Sequence, residues 1–294
     1  MSSLSLRRPR RQRDFVGLVL RIWGIAVYAF LFTPILVIVV YSFNNGRSML
    51  IWSGLGLDGY RTGTTDPTIL NAVKTSIVAA SGTAIIATTL GTFAGIALAR
   101  RKGKWTVLFM ALVFLILVTP EIVDAIALLI WYVRLGGPFG PNAPIPGVSY
   151  GMLRLWVGHS LFATAVVTLI VRARLQGLDE SLEEAAADLY APPGRRFRQI
   201  TLPLMFPAVL AGALLAFSFS LDDTIISSFV SVAGASPWPV YVFSAVRNAL
   251  RPQVASVSTL LLMLTLFAIG CVAFVLRRGG QSGEEVAKTM TVGG

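Results

Sequence analysis

Six apolar runs, each long enough to cross a bilayer, leave this chain few folds to choose from. They cover about Phe15 to Phe43, Leu70 to Ala99, Trp105 to Val133, Met152 to Val171, Leu204 to Ile226 and Ser256 to Leu276. A spanning helix needs roughly 20 such residues. The expected fold is therefore an all-α integral membrane protein with six transmembrane helices. Only 13% of the residues are charged, where a soluble domain carries about a quarter. Pro34 and Pro120 lie inside the first and third runs and predict kinks there.

The net charge of +11 invites a nucleic-acid reading, but its placement argues for a membrane. Eighteen of the 25 lysines and arginines precede the first run or lie just inside it, separate the second from the third and the fourth from the fifth, or follow the sixth. Basic residues collect on the cytoplasmic side, so both termini are expected there. The expected partner is a lipid bilayer, crossed several times, and not nucleic acid. Arg10-Arg11 resembles a twin-arginine signal, yet the apolar run after it is too long for one, so an uncleaved anchor is expected. Cys271 excludes an internal disulfide and reads as a small core residue.

The chain thus divides into a basic tail (1–14), a first helix with its outer loop (15–69), a five-helix core (70–276) and a C-terminal tail (277–294). Within the core, an inner loop covers 172–203. The outer loop from Gly136 to Gly151 is rich in turn formers. In the last outer segment Val242, Ala245, Val246 and Ala249 recur at helical spacing and predict a short helix.

The inner loop holds EEAAADLYAPPGRRFRQITLP, Glu183 to Pro203. Ser181 and Glu184 fit a capping box, with Ser181 as the N-cap. Leu178, Leu182, Ala186 and Leu189 share a face, and Pro192-Pro193-Gly194 ends the helix. A helix of about 181–190 is too short to stand alone. It must lie on its own bundle, on the lipid interface or on a partner.

Four acids fall inside or at the edge of the apolar runs: Glu121, Asp124, Asp222 and Asp223. Ionisable groups there are costly and mark a pathway or a pair. Glu121 lies about 24 Å along its helix from Trp105, and Asp222 about 27 Å from Leu204. Both pairs are expected in the outer half of the membrane, where they would suit a cationic substrate. Trp131, Phe217 and Phe219 are placed to add cation–π contacts. The competing readings are pairing with Arg134, Arg247 or Arg251, and aromatic residues that only pack. His159 reads as a polar residue inside the bundle, without a metal cluster. Gly91 and Gly95 would allow close helix packing. Gly103-Lys104 is followed by Trp105, and Leu98 stands where a phosphate loop needs glycine. No catalytic site of its own is read in the chain.

Glu184-Ala185-Ala186, followed at the right spacing by Ile200, Leu202 and Pro203, resembles the EAA loop of binding-protein-dependent ABC importer permeases. LNAVKTSIVAASGTAIIATTLGTFAGIALAR is similar to their first core helix. AFSFSLDDTIISSFV and VRNALRPQVASVSTLLL resemble the second permease subunit of spermidine/putrescine importers. One departure stands out: Tyr190 replaces the motif's glycine, and Gly194 is expected to take over its turn.

The resemblance implies the type I ABC importer architecture. It makes Glu184, Ala185, Ala186, Leu189, Tyr190, Gly194, Ile200, Leu202 and Pro203 the coupling residues. It implies a second permease subunit, two copies of a cytoplasmic ATPase and an extracytoplasmic solute-binding protein as partners. ATP and magnesium would sit on the ATPase, with no cofactor in this chain. The implied cargo is a polyamine, passing Asp222, Asp223, Glu121, Asp124 and Trp131. Sister importers of iron(III), thiamine or aminophosphonates share the scaffold and stay open. An ion-coupled secondary transporter would use the same acids but has no need of a docking helix.

Overall fold

The computed structural model describes residues 15–49, 51–101, 103–134, 149–179, 181–248 and 250–278. The basic N-terminal tail, most of the turn-rich outer loop, the tail after 278, Lys102 and Ala249 lie outside the described residues. In chain order the helices are α1 (Phe15–Tyr41), α2 (Asp58–Gly63), α3 (Pro67–Arg100), α4 (Lys104–Val118), α5 (Glu121–Arg134) and α6 (Tyr150–Gln176). Then come α7 (Ser181–Asp188), α8 (Pro193–Arg196), a π-helical turn (Phe197–Thr201), α9 (Leu202–Asp222), α10 (Ile225–Val230), α11 (Trp238–Asn248) and α12 (Pro252–Arg278). Two isolated β-bridges, Asn44 with Leu55 and Val232 with Ala235, are the only strand-like pairings among the described residues.

Five segments are long and apolar enough to cross a membrane, in α1, α3, α6, the run from Pro193 to Asp222, and α12. The third apolar run supplies the sixth only if α4 and α5 are taken together, and those two are bent by 102°. The expected kink at Pro120 is thus a full break. A residue before proline is pushed out of the helical region, and Thr119 is extended at ψ 128°. The fifth run also ends earlier than its apolar pattern: α9 stops at Asp222, and α10 starts afresh at Ile225.

Helices α3, α6 and α9 form the centre, and its core is built from small residues. Ala87, Ala163, Val167, Val171 and Ala216 are buried together with Met205. Small side chains let backbones approach closely where lipid offers no hydrophobic drive to association. A Cβ added at Gly91 would lie 2.7 Å from Val167 Cβ, and one at Gly95 would lie 2.9 Å from Thr168 O. The paired glycines are therefore the seam that brings α3 against α6. A second cluster joins α5, α6 and α10 through Ala125, Leu128, Tyr132, Leu155, Ile226 and Val230. That packing, not Pro120 alone, sets the direction of α5.

A third cluster at the outer end joins Ile69 and Ala72 to Trp238, Val254 and Val257. The predicted outer helix is α11. Val242 and Ala245 pack on this cluster, while Val246 faces outward. Trp238 N–H donates to Ser76 Oγ at 2.7 Å, and Asn71 Nδ2 to Gly234 O at 3.2 Å, so the outer segment is tied to α3. α1 leans on α12 and exposes its apolar surface all round. Ser256 Oγ on α12 donates to Ser42 O just beyond α1 at 2.7 Å, and Ser42 Oγ bonds Tyr60 Oη at 2.7 Å. Cys271 is exposed on α12 and not part of the core. Lipid is the solvent on this face, so an apolar exterior is the expected surface.

Candidate functional site

The two helix breaks meet. Thr119, Glu121 and Asp124 at the α4–α5 break, and Asp222, Asp223 and Thr224 at the α9–α10 break, line one cavity of about 420 Å³. His159, Phe162, Phe219 and Ser220 complete much of its wall. All four acids singled out in the sequence are therefore brought together. Trp131 is not: it stacks on Tyr132 at 5.7 Å and packs against the core beside α10. The aromatic pair at the cavity is Phe162 with Phe219, edge to face at 5.6 Å. Phe162 carried no sequence signal of its own, since phenylalanines are plentiful in the apolar runs.

The adjacent aspartates differ. Asp223 Oδ1 accepts from Ser227 N–H at 2.9 Å and so caps α10. The same oxygen lies 3.6 Å from His159 Nε2. His159 is buried and is fixed by Ser220 Oγ at 2.7 Å and Ser227 Oγ at 3.0 Å. Asp223 is thus part of the framework. Asp222 is exposed and lines this cavity and a neighbouring one of about 450 Å³ between α9, α11 and α12. Between neighbours in the chain, the helix end turns one carboxylate inward and leaves the other open.

No described arginine lines this cavity, and no ion pair between these acids and Arg134, Arg247 or Arg251 occurs among the described residues. Helix ends balance the charge instead. Glu121 and Asp124 lie in the first turn of α5, and Asp223 caps α10. Helix N-termini carry partial positive charge and favour carboxylates. Such balance leaves the oxygens able to meet a mobile cation, which a lysine or arginine partner would hinder. Among the described residues, no group of acids, histidines or cysteines could hold a metal ion.

The inner loop forms the second candidate region. Its helix is α7, eight residues long. The N-terminal cap is not Ser181 but Asp179, whose Oδ1 accepts from Ser181 N–H at 2.9 Å. That bond holds the Asp179 carboxyl below its ordinary range. At the other end Tyr190 N–H donates to Ala187 O at 2.9 Å, and Ala191 N–H to Ala186 O at 3.0 Å. These two bonds make a Schellman cap, with Tyr190 in the left-handed region at φ 60°. Gly194 does not take over the turn; Tyr190 bears it.

A left-handed L-residue costs about 1–2 kcal/mol, and the Tyr190 side chain, 95% exposed, gains no packing in return. Tyr190→Gly should therefore firm up the end of α7 by about 1 kcal/mol. Slower amide exchange across 182–189 would show it, and unchanged exchange would show that the turn carries no strain.

Leu182, Glu184, Ala185, Leu189, Tyr190, Gly194, Leu202 and Pro203 are exposed. Ala186 and Ile200 are half-buried. Glu183, not singled out from the sequence, faces the bundle. It accepts a fork of two hydrogen bonds from Arg100 at the end of α3 and one from Thr201 Oγ1 at 2.7 Å. The Arg100 bonds hold the Glu183 carboxyl below the usual glutamate range. The contact is thus fully present above that range and is lost only as pH falls through the lowered value.

Comparison with known proteins identifies the family. A family model described as a binding-protein-dependent transport system inner membrane component matches residues 87–278. The putrescine transport system permease protein PotI of Escherichia coli (strain K12) is 37% identical over 258 residues, spanning 86% of this chain and 89% of PotI. The spermidine/putrescine transport system permease protein PotC of Haemophilus influenzae is 33% identical over 252 residues, 86% of this chain and 94% of PotC. Among solved structures, a chain of a bacterial alginate ABC transporter in complex with its alginate-bound periplasmic protein superposes with a TM-score of 0.72 at 12% identity. It covers 92% of this chain and 97% of that one. A chain of the inward-facing MetNI methionine ABC transporter gives 0.55 at 15% identity, covering 73% and 99%. With a family model across most of the chain and relatives matched nearly end to end, the chain belongs to the binding-protein-dependent transport system inner membrane components, and it is a permease subunit of an ABC importer.

Proposed function

We propose that the chain carries polyamines, putrescine or spermidine, across a bacterial inner membrane as one of two permease subunits. The observation behind this reading is the cavity at the paired helix breaks. It presents four carboxylates and an edge-to-face aromatic pair, and no described arginine or lysine lines it. An amine cation is attracted by the carboxylates and by the ring faces. The names of PotI and PotC support the same cargo.

In this reading an extracytoplasmic binding protein delivers the cation to the outer end. Two copies of an ATPase hold ATP and magnesium below. One of them grips α7 through the exposed Leu182, Glu184, Leu189 and Tyr190. Their closure on ATP turns the path outward, and their release turns it inward. Thr119–Pro120 and Asp223–Thr224 are where helices already stop, so they are the natural places for the path to change shape. This chain supplies the path and the lever and does no chemistry.

Uptake of labelled putrescine and spermidine in cells lacking the chain is the test. Restoring the wild-type chain should restore ATP-dependent uptake of at least one of them. Failure with both, alongside a co-purifying ATPase, would overturn the polyamine assignment and reopen the iron(III), thiamine and aminophosphonate importers. Uptake that persists without any ATPase would favour an ion-coupled carrier instead.

A further inference from the structure

Three elements far apart in the sequence meet at Glu183. It sits on α7, 83 residues from Arg100 at the C-terminal end of α3 and 18 from Thr201. Arg100 Nη1 donates to Glu183 Oε2 at 2.6 Å, and Nη2 donates to Oε1. A forked arginine–carboxylate pair fixes orientation as well as distance. Thr201 is buried and closes the π-helical turn that leads into α9. Such a turn holds an extra residue, and single π turns recur at functional sites. A cavity of about 300 Å³ lies beside the contact, bounded by Ile96, Pro193 and Phe197 as well as the bonded residues.

The remainder of α7 has little hold on the bundle. None of its residues is buried, and Leu182 and Leu189 are 48% and 82% exposed. The neighbouring glutamates divide the work, since successive helical residues point about 100° apart. Glu183 turns to its own chain, and Glu184 turns out to solvent.

We propose that Arg100–Glu183–Thr201 is the joint through which α7 drives α3 and α9, an inference resting on the reading that α7 docks on an ATPase. Without the joint the ATPase would still hold α7, but the helix would rock against the bundle. ATP would then be spent without cargo moving. This assigns Arg100, Glu183 and Thr201 to coupling, and distinguishes them from the outward residues that touch the ATPase.

The test uses the whole importer, co-expressed with its second permease and ATPase and reconstituted in liposomes with the binding protein. ATP hydrolysis and labelled polyamine uptake are measured on the same preparation. Glu183→Gln should keep the ATPase bound through purification while uptake per ATP falls about fivefold, the low end of ordinary coupling between sites. Thr201→Val should do the same to a smaller degree. The exchange Arg100→Glu with Glu183→Arg should recover most of the loss.

Unchanged uptake per ATP in Glu183→Gln would overturn the proposal. So would loss of the ATPase from that variant, which would make Glu183 a docking contact. Should Glu183→Gln reconstitute poorly, amide exchange of 182–189 in the purified Thr201→Val importer decides. Faster exchange supports the joint, and unchanged exchange refutes it. A wild-type preparation that binds no ATPase would instead refute the docking reading beneath it.

Discussion

Replacing Asp222 by asparagine is expected to cut polyamine uptake at least about tenfold, while the amount of chain in the membrane stays the same. The change removes a charge and keeps the shape. Asp222 is exposed and lines both neighbouring cavities, and its backbone carbonyl accepts from Thr224 Oγ1 at 3.2 Å, a bond the substitution keeps. The fold therefore loses little. The cation loses a partner in surroundings of low dielectric, and about 1.4 kcal/mol suffices for a factor of ten.

Asp223→Ala should behave in the opposite way. It removes the cap of α10 and the carboxylate beside buried His159. A lost cap costs about 1 kcal/mol, so less folded chain should be recovered. Quantifying the chain in membranes beside uptake separates the two effects. Full uptake by Asp222→Asn would remove this carboxylate from the path. Normal yield of Asp223→Ala would show that the cap is dispensable.

Gly91→Ala should damage the fold far more than one added methyl suggests. Its Cβ would stand 2.7 Å from Val167 Cβ, 2.8 Å from Val167 Cγ1 and 3.0 Å from Thr164 O. Two of those atoms belong to one β-branched side chain, and the third is backbone that cannot turn aside. Overpacking of this kind costs about 1–3 kcal/mol. Gly91→Val should largely abolish recovery of monodisperse protein from detergent. Adding Val167→Gly to Gly91→Ala should return part of the thermal stability, because it removes both the Cβ and the Cγ1 in the way. Failure of that rescue would place the damage in the backbone contact to Thr164.

The membrane class and the helices were legible because length and hydropathy alone decide whether a segment can cross. The near right angle at Thr119–Pro120 was not. A proline announces an interruption, but the direction of α5 comes from Ala125, Leu128 and Tyr132 settling on Ile226 and Val230. The four acids could be found as charges in apolar surroundings. Their different duties could not, since only the end of α9 separates Asp222 from Asp223. At Tyr190 the sequence pointed to the correct problem and the wrong remedy: the glycine is missing, but Tyr190 accepts the left-handed turn itself. Arg100 and Glu183 lay hidden because nothing local in the sequence tells either that the other is near.

The length of α3 has a mechanical consequence. Its 34 residues make a rod about 51 Å long. Arg100 receives the inner joint at one end, while Asn71 and Ser76 hold the outer segment near the other. Gly91 and Gly95 press the rod against α6 near the Arg100 end, and Trp156 Nε1 of α6 donates to Val78 O at 3.1 Å nearer the other. A rod held at both places does not swing on α6; the two helices tilt as one body. A tilt begun at the Arg100 joint would thus reach the outer segment about 51 Å away with no change of shape within the rod.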